Sequence, residues 1–171
     1  MTPHPLVTQL RFTRSEFVRG LDGVSEADGL VRHMPINSIG WTVGHMANQE
    51  HRYWVVFAQG REVVEGLMER VGTGRPASTP SLAEMWSAWR TVTAAADEYL
   101  DTLTVERLGT HLSREGKPID ESVGTMLLRV IYHYWFHTGE ASAVRQLNGG
   151  VDLPEFVGDM DEAAYRPEAE S

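Results

Sequence analysis

The sequence predicts an all-α protein: a four-helix bundle with a short hairpin before the last helix. Three observations predict it. Four segments of roughly 15–27 residues carry apolar side chains at helical spacing, each bounded by capping residues or glycines. Only His111 to Asp120, around the turn Gly116-Lys117-Pro118, has strand character. The second and third connections are long, which leaves room for an up-down-down-up order in place of a simple up-down series.

The first helix runs from Leu6 to about Leu21, with Leu6, Leu10, Phe17 and Leu21 on one face and Arg11, Arg14 and Arg19 mostly off it. Gly23, Gly29 and Pro35 mark a connection, with one short helical turn around Ser25–Asp28. Asn37 and Ser38 are good N-caps for a second helix, about Ile39 to Gln59, and Gly60 stops it. Gly72 to Pro80 is a loop. Its G-x-G lacks a third glycine and a preceding strand, which argues against a dinucleotide site. Ser81-Leu82-Ala83-Glu84 reads as a capping box opening the third helix, whose apolar stripe includes Trp86, Trp89, Val92 and Leu103. The fourth helix spans Ser122 to about Asn148 and ends at Gly149-Gly150. The expected organisation is one helical domain over 1–150 and an acidic, partly mobile tail over 151–171.

Bulk properties narrow the function. The chain has 171 residues, 42% hydrophobic and 23% charged, with a net charge of −9. That charge argues against a nucleic-acid partner. Much of it lies in the tail, where Asp152, Glu155, Asp159, Asp161, Glu162, Glu168 and Glu170 face a single base, Arg166. No apolar run approaches the ~18–20 residues that span a bilayer. The N-terminus lacks a secretory pattern, so a cytoplasmic location and no membrane partner are expected. There is no cysteine. A metal must therefore use His, Asp, Glu or water, and any thiol must come from outside.

The chemistry concentrates in Tyr132-His133-Tyr134-Trp135-Phe136-His137-Thr138-Gly139-Glu140. Residues at i and i+4 lie one above the other on a helix, so His133 and His137 can grip one ion, and His45 on the second helix can supply a third ligand. On a 3.6-residue wheel, Met126, Val130, His133, His137, Glu140, Ala141 and Val144 share an arc of about 100°. Both histidines and Glu140 are therefore expected to point inward, and burying three titratable groups requires pairing, hydrogen bonds or a metal. The face of His45 also carries Trp41, Asn48, Gln49, Arg52 and Val56, more polar than a pure core stripe. His51 is expected at the surface, and His4, His33 and His111 in terminal or loop positions. The residue after His133 is Tyr134, so the glutamate base of an H-E-x-x-H protease is missing.

Ser38-Ile39-Gly40-Trp41-Thr42-Val43-Gly44-His45, continued to Trp54, resembles the helix-two signature of the DinB/YfiT-like proteins. His133-x-x-x-His137-x-Gly139, followed by Ala141-x-x-x-Arg145-x-Leu147, resembles their helix-four signature. The resemblance implies an up-down-down-up four-helix bundle and a divalent zinc, nickel or iron held by three histidines, here His45, His133 and His137. It also implies a homodimer and, in characterised relatives, S-transferase or isomerase chemistry with bacillithiol, mycothiol or glutathione. Glu140 departs from the Gln or His that relatives often carry there, and can act as a fourth ligand or as a partner of a histidine.

Three histidines with an open position make a catalytic rather than a structural type of metal site. The leading expectation is a metal-dependent thiol S-transferase or thiol-dependent isomerase acting on small electrophiles. Glu140 would orient a histidine or shuttle a proton, and Arg52 would pair with a carboxylate of the cosubstrate or substrate. The alternatives are a metal-dependent hydrolase using bound hydroxide and a non-catalytic metal-binding stress protein.

Overall fold

The computed structural model describes residues 3–155 and 157–165. Arg166, Glu168 and Glu170 of the tail lie outside the described residues. Seven α-helices and one small antiparallel sheet are present among those described: α1 (Pro5–Gly20), α2 (Glu26–Leu30), α3 (Ile39–Glu50), α4 (Leu67–Val71), α5 (Leu82–Leu100), α6 (Val105–Leu108), β1 (His111–Arg114), β2 (Lys117–Ser122) and α7 (Val123–Leu147). The class is mostly helical, as expected. No described helix is long and apolar enough to cross a membrane.

The long helices start and stop where side chains satisfy their free ends. Ser38, Ser81 and Ser122 are the N-caps of α3, α5 and α7, and their hydroxyls accept from Trp41, Glu84 and Thr125 backbone N–H groups. The capping box at Ser81 is only half formed. Glu84 turns away to pair with Arg70 at 2.7 Å. The N–H groups of Leu82 and Ala83 instead donate to Glu26 of α2, at 2.9 and 3.0 Å. A carboxylate from another helix thus takes the place beside the N-terminal dipole that the local sequence assigned to Glu84.

The helix expected over Ile39–Gln59 is helical throughout but not uniformly α. After Glu50 it continues as a π-helical stretch, His51–Phe57, and stops at Gly60 with φ +66°. His51 is buried, contrary to its expected surface position. The chain beyond Gly60 folds back over it, and the Val63 N–H donates to His51 Nε2 at 3.1 Å. Burial pushes the His51 imidazole down from its usual pKa.

Helix α3 packs chiefly on α5, and α1 on α7; α3 also touches α7. The α3–α5 approach depends on two glycines. A Cβ at Gly40 would stand 2.4 Å from the Pro80 carbonyl oxygen, and one at Gly44 would stand 2.3 Å from Met85 Sδ. The core between these helices is built from Leu10, Phe17, Ile39, Met46, Trp54, Met85, Leu100, Met126, Leu127 and Tyr134, each buried. The described tail lies along α1, where Gly158 N–H donates to Glu16 at 2.8 Å and Gln9 donates to the Ala163 carbonyl at 3.0 Å.

One polar network crosses this core. Arg14 of α1, expected off the apolar face, is buried and forms a bidentate pair with the fully buried Glu50 of α3. It also donates to Asp97 of α5 at 2.8 Å. Tyr134 of α7 donates to Glu50 at 2.6 Å and accepts from Trp89 Nε1 of α5 at 2.7 Å. Burial opposes the Arg14 charge, but the Glu50 carboxylate outweighs it and raises the guanidinium pKa. Burial and the same carboxylate raise the Tyr134 phenol well above its usual value. Removing one member of a buried pair strands the other charge in low dielectric. Arg14→Met is therefore expected to cost about 3–5 kcal/mol of unfolding free energy. Chemical denaturation of wild type, Arg14→Met and Glu50→Gln checks this, with Glu50→Gln the milder change because its amide oxygen still accepts from Arg14 and Asp97 remains as the counter-charge.

Candidate metal centre

Three imidazoles meet between α3 and α7. His45, His133 and His137 each offer a nitrogen, and these atoms all lie within 4.8 Å of one another. His45 and His137 are buried; His133 is half-buried. His133 and Glu140 sit at the edge of the buried stripe of α7 rather than at its centre, which falls on Val130, Tyr134 and Ala141. The wheel placed the arc one position off because α7 is covered by α1 as well as by α3.

Each ring is tied down by its Nδ1. His45 Nδ1 is 2.8 Å from the Val71 carbonyl oxygen at the end of α4. His133 Nδ1 is 2.5 Å from Gln49 Oε1. His137 Nδ1 is 2.8 Å from Glu140 Oε2. Carbonyl, amide and carboxylate oxygens only accept, so each Nδ1 carries the proton and each Nε2 presents a lone pair. The Nε2 atoms of His133 and His137 are 2.9 Å apart. Two lone pairs facing at that distance repel unless a cation lies between them. Burial, aided by His137, pushes His133 down to about 3, and burial pushes His45 down to about 4. At neutral pH His133 and His45 are therefore without an extra proton. The donor set fits a divalent metal: three converging ring nitrogens, each oriented by an acceptor behind it.

Aromatic rings wall the cluster. Trp41 stacks on His45 with centroids 4.4 Å apart and planes 11° from parallel, and meets His137 edge-on at 6.3 Å. Phe136 lies edge-on to His137 at 5.1 Å. These contacts restrict ring rotation.

The other sequence candidates fall as follows. Glu140 lies behind His137 Nδ1, on the side away from the converging nitrogens, as a partner of the ring. Arg52 is half-buried, with its guanidinium carbon 5.7 Å from the Phe57 ring centroid, and its charge is felt at His45. His111 is exposed on β1, with Nδ1 bonded to the Ile119 carbonyl, and His33 pairs with Asn148. Two orienting groups escaped the sequence reading. Gln49 shares the face of His45, four residues on, and that spacing was its signal. The Val71 carbonyl had none, since any residue supplies one.

These contacts set an expected order. Gln49→Leu and Glu140→Gln should each weaken divalent metal binding about 10–100-fold, the range typical of losing a group that orients a ligand. His45→Ala, His133→Ala and His137→Ala should each weaken it further. Titration calorimetry with zinc or nickel on the metal-free protein measures both, and equal affinities for wild type and His137→Ala would sink the assignment.

A family model described as mycothiol-S-transferase matches residues 5–150 of this sequence. No curated protein matches it. Among solved structures, the crystal structure of a conserved protein from Enterococcus faecalis aligns with a TM-score of 0.58 at 18% identity, covering 83% of this chain and 94% of that chain. At that identity the likeness speaks for the fold.

Proposed function

We infer the function from two facts taken together: the chain belongs to the mycothiol-S-transferase family, a DinB-like family, and it gathers three imidazoles whose nitrogens converge. The function these support is divalent-metal-dependent transfer of a low-molecular-weight thiol, mycothiol by family, to a small electrophile. The single observation that carries the metal is the 2.9 Å approach of His133 Nε2 to His137 Nε2 with both Nδ1 atoms engaged behind them. Family membership also supports the finer architecture, a four-helix bundle in up-down-down-up order, in which α1 pairs with α7 and α3 with α5.

His45, His133 and His137 would hold a divalent ion, which would supply Lewis acidity favouring the deprotonated form of an incoming thiol. The chain's own residues do the rest. Val71, Gln49 and Glu140 hold the imidazoles in one tautomer, so no ring must reorient during turnover. Trp41, itself buried, covers the inner side of the cluster. Glu140, half-buried and bonded to His137 Nδ1 from behind the ring, strengthens that ring as a donor. Arg52 is assigned to an oxygen acceptor of the thiol cosubstrate. The reaction forms a carbon–sulfur bond and breaks the bond from that carbon to the leaving group, which departs with its electron pair; the thiol proton passes to solvent. The cysteine-free sequence agrees with this, because no protein thiol competes as nucleophile.

The test is conjugation of monochlorobimane by metal-loaded protein with mycothiol, bacillithiol or glutathione. Turnover should require both metal and thiol, be fastest with mycothiol, and fall by about 100-fold or more in His133→Ala, in keeping with loss of a metal ligand. Hydrolysis of ester or amide substrates without added thiol would instead favour the bound-hydroxide reading. Metal-raised thermal stability with no turnover on either panel would favour a non-catalytic role.

A further inference from the structure

A groove of about 560 Å³ opens where α3 meets α7, lined by Gln49, Thr125, Leu128, Arg129, Tyr132 and His133. Of the three clustered histidines, His133 is the one that lines it; His45 and His137 are 6% and 5% exposed. The groove therefore reaches the cluster along the His133 edge. Its walls are largely carbon, and the Tyr132 side chain is left 65% exposed. A large exposed ring beside a reactive cluster is a ready stacking surface for a flat apolar group.

One full charge lines the groove, that of Arg129, and it is engaged. Arg129 Nε donates to Glu121 Oε2 at 2.9 Å, and Nη2 donates to Glu121 Oε1. Glu121 comes from β2, so the hairpin that precedes α7 supplies the counter-charge. This two-pronged contact uses the fork that would otherwise grip a substrate carboxylate. The guanidinium in turn holds the Glu121 carboxyl below the usual carboxylate range, so the pair stays ionised near neutral pH.

We propose that this groove takes the uncharged, apolar body of the electrophile, an aromatic or alkyl group packed on Tyr132 and Leu128, and that the Glu121–Arg129 pair excludes anionic electrophiles by keeping the guanidinium occupied. The reaction rests on the thiol-transferase reading, but the binding site does not. Glu121 is thus a specificity residue that acts through Arg129.

The test separates binding from turnover. Binding of 1,3-dinitrobenzene and 3,5-dinitrobenzoate is measured by fluorescence quenching on metal-free protein, where a carboxylate has no ion to coordinate. Wild type should prefer the neutral ring. Glu121→Gln frees the guanidinium and should tighten dinitrobenzoate about tenfold while leaving dinitrobenzene near its wild-type affinity, as a charge-assisted bond predicts. Tyr132→Ala should weaken both rings several-fold, by about the worth of one aromatic pair. A wild-type preference for the anion, no binding of either ring, an unchanged ratio in Glu121→Gln, or no effect of Tyr132→Ala would each overturn the proposal. Kinetics with 1-chloro-2,4-dinitrobenzene and 4-chloro-3,5-dinitrobenzoate then divide the two claims. Binding as described with no thiol-dependent turnover sinks the transferase reading and leaves the groove standing. Turnover whose neutral-to-anionic kcat/KM ratio ignores Glu121→Gln sinks the groove.

Discussion

The buried contact among Arg14, Glu50, Tyr134 and Trp89 is the constraint on which the rest of this molecule depends. It places one residue from each long helix in a single network. A hydrophobic contact between α3 and α7 would tolerate a small slide along the helix axes. A fully buried carboxylate bonded to a phenol does not, because any slide leaves both groups unpaired in low dielectric. Glu50 and Tyr134 are the immediate neighbours of Gln49 and His133, and those two are bonded as well. Two consecutive pairs with the same offset fix the register of α3 against α7. The register in turn sets His45 opposite His133 and His137.

The cluster shows a second kind of economy. Three histidines could adopt either tautomer, and a metal needs all three in one. Here the choice is made by three chemically different acceptors: a backbone carbonyl from α4, an amide from α3 and a carboxylate from α7 itself. Only one of them carries charge. Two ligand positions thus stay electrically neutral behind the ring while the third, His137, is backed by an anion, which makes it the strongest donor of the set. Glu140 thus alters the charge around the site and leaves the converging nitrogens as they are.

Much of the architecture was legible in the sequence, because local signals decide helix ends. Ser38, Ser81, Ser122 and Gly60 mark boundaries that the structure keeps, and the expected hairpin forms, although its turn is Glu115-Gly116 and Lys117-Pro118, expected in the turn, are already paired in β2. The gathering of His45, His133 and His137 was also legible, since i, i+4 spacing on one helix and a polar face on another are both periodic features. The errors fall where a distant partner overrides a local rule. Arg14 looked like a surface base until Glu50 arrived from α3. His51 looked exposed until the chain after Gly60 covered it. Glu84 lost the reciprocal half of its capping box because Glu26 reached the helix end and Arg70 drew it away.

By itself, then, the sequence determined the helical class, the caps of the long helices and the histidine pair that shares one face of α7, because each depends on side chains a few positions apart. Only the tertiary structure decided which imidazole nitrogen faces inward, which polar groups are buried and where the cluster opens to solvent. Apart from His137, whose acceptor Glu140 is three residues on, those outcomes depend on groups that come from 26 to 84 residues away, at Val71, Gln49 and Glu50. No periodicity along one helix encodes them, because hydrogen-bond partners across a core are set by how whole helices dock.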